Sequence, residues 1–141
     1  MYKRQTLQGL FRQIEETANS AEGGERCVDM KKRLTRALAD VQGIFLAVMQ
    51  KMNQSIYHVG LQGNRILFSL AELTIAWLLV RQAEVAAAAL GQATGREQSF
   101  YEGKLACAQF FSQEVLPGLT LARKQVEASS LEVMELSDDS F

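Results

Sequence analysis

An all-α fold, an antiparallel up-and-down four-helix bundle, is what three observations predict for this 141-residue chain. Only one proline occurs, and the strong helix formers Ala, Leu, Gln and Glu are abundant. Apolar residues advance by alternating threes and fours over two long stretches, the spacing of a bundle seam. Clusters of turn-forming residues divide the sequence into four segments of helical length. At this size one domain is expected, burying about 68–70% of its unfolded surface.

The first helix is predicted from Thr6 to Ala21, with Leu7, Leu10, Phe11 and Ile14 on one face. It fades at Asn19-Ser20 and stops at the Gly23-Gly24 turn. The second, from Glu25 to Met52, has the clearest seam: Leu34, Leu38, Val41, Phe45, Val48 and Met52, extended backwards by Met30 and Cys27. Asn53-Gln54-Ser55 reads as a turn with capping residues. The third helix spans Ile56 to Leu90, weakened at its start by Gly60 and Gly63. Residues 66–80 are apolar on nearly every side, so this helix is expected at the centre of the fold. Its run Ala86–Ala89 is small enough for another backbone to approach closely.

Gly91 suits the end of that helix, and Thr94-Gly95-Arg96-Glu97 has the form of a capping box. The fourth helix then runs to Ala128 with Ala108, Phe111, Val115, Leu119, Ala122 and Val126 as its seam. Pro117 inside it removes the bond to the Gln113 carbonyl and is expected to bend it. The acidic tail, residues 131–141, offers Leu131, Val133, Met134, Leu136 and Phe141 for packing back onto the bundle. Residues equidistant from a short turn lie at one level. That places Glu72 opposite Arg36, and Arg81 near Lys104 and Glu102.

Composition narrows function mainly by exclusion. A net charge of −1 gives no global attraction to nucleic acid or anionic lipid. Lys31-Lys32-Arg33 with Arg36 reads as a solvated face opposite the Leu34/Leu38 seam, rather than a phosphate-contacting patch. The apolar run Ile66–Val80 is shorter than the ~20 residues of a bilayer span and carries Glu72. Cys27 and Cys107 form neither a metal spacing nor a redox pair and read as two buried thiols of a reduced cytoplasm. His58 is the only histidine. It has no partner for a di-iron or nucleophilic set and reads as turn-proximal or superficial. The turn 91–95 is a helix connection rather than a phosphate cradle. Phe100, Tyr101, Phe110 and Phe111 sit at helical spacing and read as core. Trp77 and Tyr101 each need a polar partner if buried. No catalytic, cofactor-binding or metal-binding residue is assigned.

The pattern says more than the chemistry. The segments NRILFSLAELTIAWLLVRQAEVAAAAL, REQSFYEGKLACAQFFSQEVLPGL and SLEVMELSDDSF resemble the C-terminal helical domain of certain acyl-CoA dehydrogenases, the acetyl-CoA dehydrogenase C-terminal-like module. The likeness is strong from Ile56 to Phe141 and looser over Thr6–Asn53. It implies a parent flavoprotein that desaturates acyl-CoA thioesters between Cα and Cβ, using FAD, a glutamate base and an electron-transfer flavoprotein. In that family the base and flavin contacts lie in preceding domains, so Glu72, Glu102 and Glu114 are read as structural. The implied role is docking against the upstream flavin domains or a neighbouring subunit of a homo-oligomer, with no nucleic acid and no membrane. The implied location is cytoplasmic. The alternative is a stand-alone four-helix interaction module. Residues 1–5, MYKRQ, match the translation of a sequencing-library adapter and are read as its remnant. That leaves 6–130 as the bundle domain, and the natural protein is expected to extend upstream.

Overall fold

The computed structural model describes residues 2–140. Met1 and Phe141, including the expected packing of Phe141, lie outside the described residues. Five α-helical segments follow one another: α1 Tyr2–Asn19, α2 Val28–Met52, α3 Tyr57–Ala89, α4 Gly95–Glu114 and α5 Pro117–Glu127. A single 3-10 turn, Gly24–Cys27, leads into α2, and two more, Glu132–Glu135 and Asp138–Ser140, lie in the tail. No strand occurs among the described residues, so the all-α class holds.

α2 is the hub, touching α1, α3, α4 and α5. Its seam forms largely as its spacing predicts. Cys27, Met30, Leu34, Leu38, Val41 and Val48 are buried and Phe45 is half-buried. Met52 lies beyond the neighbours' reach and is exposed. A second stripe, Ala37, Ile44 and Ala47, widens the buried face toward α5. Among the residues of α1 whose burial is described, 6–19, only Ile14 is fully covered, while Leu10 and Phe11 pack at the rim. Phe11 meets Phe45 edge-on, with ring centroids 6.0 Å apart. Trp77 has the polar partner its indole needs, donating from Nε1 to Thr17 Oγ1 at 2.8 Å.

Gly23 turns the chain between α1 and α2 at φ 76°, a backbone region L side chains rarely enter. A Cβ there would also overlap the Cys27 side chain. Ala83 and Ala86 of α3 are fully buried, and the α-carbon of Glu84 would lie 3.4 Å from that Cβ. Small residues on α3 thus let the turn approach, a few residues earlier than the predicted run 86–89.

Several expectations fail for identifiable reasons. The fourth helix is broken rather than bent. α4 ends at Glu114 and Pro117 opens α5 at its first turn, where a missing amide costs no helical bond. Thr94 does precede α4, but its side chain makes no capping bond. Gly95 enters with φ 57°, so the helical first position that a capping box requires is missing. α3 is central in contact but not buried all round, because nothing covers its outer side: Leu67, Phe68, Ile75, Leu78 and Val85 are exposed. The tail does not pack back, since only Leu131 is half-buried while Val133, Met134 and Leu136 stay exposed. Glu72 and Arg36 do not meet. Arg36 lines a groove on the α4/α5 side of α2, and burial alone pushes the Glu72 carboxyl above its usual range.

Candidate functional site

Three polar constellations and one cleft could hold chemistry. The first sits at the α1–α2 connection. Lys31 is buried and donates from Nζ to the Ser20 carbonyl at 2.9 Å, the Ser20 hydroxyl at 2.7 Å and the Glu22 carbonyl at 2.7 Å. Its ammonium also pairs with Glu84 Oε1 at 2.6 Å, and the Ser20 hydroxyl donates to the same oxygen at 2.9 Å. Lys31 therefore does not belong to a solvated basic face; only Lys32 and Arg36 of that run are fully exposed. The signal was present in the sequence, since Lys31 stands four residues after Cys27 and three before Leu34. That spacing is the seam's own. A buried ion pair with every donor used is a structural pin rather than a reactive group.

Cys27 lies beside this pin, and burial pushes its thiol up, against a smaller lowering by Lys31. Such a thiol is a poor nucleophile at neutral pH. Cys107, expected to be buried, lies on the outer side of α4 and is exposed.

The second constellation joins α2 to α5. Asp40, buried, accepts a hydrogen bond from the Thr120 hydroxyl at 2.6 Å and faces Arg123 Nη1 at 3.6 Å. Arg123 also donates to Glu127 at 2.7 Å. The third is His58, in the first turn of α3. It is turn-proximal but buried, and its Nδ1 has no hydrogen-bond partner. No group of three or more His, Cys, Asp or Glu residues able to hold a metal occurs among the described residues. The three glutamates read as structural are dispersed: Glu72 half-buried on α3, Glu102 exposed and accepting from Gln98 at 3.1 Å, and Glu114 exposed at the end of α4.

The cleft lies between α3 and α4, with a volume of about 510 Å³. Leu78, Val85, Phe100 and Tyr101 form apolar walls; Arg81 and Lys104 bring positive charge, and Glu22 and the Lys31-paired Glu84 also line it. The level rule thus put Arg81 and Lys104 together correctly, while Glu102 turns away. Each cation lies over an aromatic ring, Arg81 over Trp77 at 5.6 Å and Lys104 over Phe100 at 5.4 Å. Phe100 and Phe110, read as core, are exposed.

The structure is that of an all-helical domain, and the sequence places it: the chain belongs to the acetyl-CoA dehydrogenase C-terminal-like family, which it matches over residues 10–137. It is also 44% identical over 136 residues to the broad-specificity linear acyl-CoA dehydrogenase FadE5 of Mycobacterium tuberculosis. The match takes in 92% of this chain and 22% of that relative, so the chain spans about a fifth of the relative's length.

Proposed function

We propose that this chain is the C-terminal helical domain of an FAD-dependent acyl-CoA dehydrogenase, and that it serves docking rather than chemistry. The observation that carries the reading is the 44% identity across nearly the whole chain to one fifth of such an enzyme. The parent reaction would be α,β-desaturation of an acyl-CoA thioester in the cytoplasm, with electrons passing to an electron-transfer flavoprotein. When bound, FAD accepts the hydride removed from Cβ. The residues described here do not fit that cofactor. The α3–α4 cleft is lined by residues 78–86 toward the C-terminal end of α3, by residues 100–104 of α4 and by Glu22; the first residues of α4 do not line it, so it offers no helix N-terminus to a pyrophosphate. No step of the reaction is therefore assigned to any residue of this chain.

What the chain supplies is a helical scaffold in which α1, α2, α3 and the α4–α5 run, taken as one fourth helix, would alternate in direction. The few-residue connections between α2 and α3 and between α3 and α4 support that arrangement. Its docking surface faces the flavin domains or a neighbouring subunit. Residues 6–130 would be the bundle, 131–141 an acidic tail, and 1–5 an adapter remnant.

Sequencing the DNA upstream of the Thr6 codon tests this directly. An open frame encoding flavin-domain sequence is expected. A native promoter and ribosome-binding site immediately before the chain would instead favour a stand-alone interaction module. In solution the purified 141-residue chain should carry no flavin absorbance band and desaturate no acyl-CoA. A yellow protein would sink the docking-only role.

A further inference from the structure

α3 carries a second seam on its outer side. Positions 57, 61, 64, 68, 71, 75, 78, 82 and 85 advance by four and three without exception, and none holds a charge. All nine are exposed, the large apolar ones, from Tyr57 to Val85, by 45–67%. At 1.5 Å per residue the stripe is about 42 Å long. A strict heptad stripe of this kind is the pattern of a helix that pairs with another helix. A solvated surface helix ordinarily carries charge on that face.

We propose that this face pairs with the same face of a second copy, α3 against α3, in antiparallel orientation about a twofold axis. This deepens the docking role proposed above by naming the neighbouring subunit as its occupant.

Two independent features select a second copy and this direction. The first is self-complementarity. In one antiparallel register Phe68 of one copy meets Leu78 of the other, Leu61 meets Val85, and the small Ala71 meets Ile75 beside the axis. The two amides in the stripe, Asn64 and Gln82, then face each other. A paired amide fixes register, whereas an amide opposite an apolar side chain would be buried without a partner. A parallel pair would stack Phe68 on Phe68 and Ala71 on Ala71, alternating crowding with voids.

The second feature is charge. The tail, residues 131–141, holds Glu132, Glu135, Asp138 and Asp139, no basic residue, and exposed Val133, Met134 and Leu136. It leaves the bundle near the start of α3, where Lys51 Nζ donates to the Ser129 carbonyl at 2.6 Å. The cleft bearing Arg81 and Lys104 sits at the opposite end of α3 and shares Leu78, Gln82 and Val85 with the stripe. Within one copy those ends are some 20 residues of helix apart, about 30 Å. An antiparallel pair brings each copy's acidic, apolar tail beside Arg81, Lys104 and Phe100 of the other copy's cleft, twice over. There Glu84 is already compensated by Lys31, and Glu22 is the one remaining acid.

The test is the mass of the 141-residue chain in solution by light scattering or sedimentation. A two-copy species is expected at ~100 µM chain, the concentration at which a micromolar pair is almost fully formed. Phe68→Glu should raise the dissociation constant at least tenfold while far-ultraviolet dichroism stays unchanged, because Phe68 is 64% exposed within the copy and belongs to neither buried cluster. Register has its own readout. Asn64→Lys and Gln82→Glu should each weaken pairing, and the double variant should recover it, since the new charges face each other only in the antiparallel register. A single-copy mass at that concentration would overturn the proposal, as would a pair indifferent to Phe68→Glu or a double variant weaker than both singles. A single copy that floats with phosphatidylcholine vesicles would overturn it too, and give the face to lipid. An upstream frame without flavin sequence would remove the parent enzyme and leave the pairing standing, so the two readings fail separately.

Discussion

At the scale of single residues, the buried carboxylate of Glu84 and the half-buried one of Glu72 differ in what surrounds them. Glu84 faces an ammonium at 2.6 Å and a hydroxyl at 2.9 Å, so its charge is compensated inside the fold. Removing either partner of such a buried pair generally costs about 3–5 kcal/mol, because the other charge stays behind. Glu72 has only desolvation acting on it, which raises its pKa. A carboxyl raised in the folded state favours folding in its protonated form. That contribution is complete below the unfolded pKa and is lost as pH rises through the folded one. Glu72→Gln should therefore raise thermal stability at pH 7 and make no difference once pH falls below the ordinary carboxylate range. The gain should stay within about 0.5 kcal/mol, since the side chain is half open to water, which screens it. Parallel melts of both proteins from pH 3 to 8 would check this, and a variant that loses stability at pH 7 would refute it. Glu72 was the charge assigned a partner from level counting, and Lys31 the one assigned to water. Level counting fixes height along a helix but not which side faces in, and that angle decided both cases.

At the scale of elements, α5 gives the sharpest contrast. Leu119 and Leu121 are two residues apart, a rotation of about 200° on a helix. One is 1% exposed and the other 58%. Leu119→Ala should cost about 2–5 kcal/mol through lost burial and the cavity left behind. Leu121→Ala should fall within ~0.5 kcal/mol of the parent. Urea denaturation of the two variants separates them, and equal losses would mean that α5 packs on a different face. Helix positions and the α2, α4 and α5 seams were legible in the sequence because periodicity reports a face directly. Pro117 was legible as a disturbance but not as a break. Whether a proline bends a helix or starts a new one depends on what holds the segment after it, here Asp40 gripping Thr120 from α2. The apolarity of α3 was legible too, yet composition could not distinguish a helix covered on all sides from one with a core face and a second, uncovered seam. The α3–α4 cleft was not readable from residue types. It depends on which way Phe100 and Lys104 point.

At the scale of the whole molecule the buried apolar residues fall into two clusters of unequal size. The larger gathers sixteen residues from α1, the first half of α2, the second half of α3, α4, the residue between α4 and α5, and the start of α5. The smaller, at the opposite end, holds Ile44, Ala47 and Val48 of α2 with Val126 of α5, edged by Val59, Ile66 and Ala122. That end also contains the buried polar residues His58 and Gln62, and the Nδ1 of His58 finds no partner. Local opening costs least where few apolar contacts are given up and where an unsatisfied polar group gains water. The two ends of α2 should therefore differ in native-state hydrogen exchange, although they belong to one continuous helix. Amides of residues 44–52 and 122–127 are expected to exchange at least ~10-fold faster than those of residues 30–41 at neutral pH. These segments of α2 and α5 lie off the outer seam of α3, so the comparison is independent of pairing between copies. Equal protection along α2 would show that the two clusters open as one unit, with the pin at Lys31 and the grip at Asp40 coupling both ends of the fold.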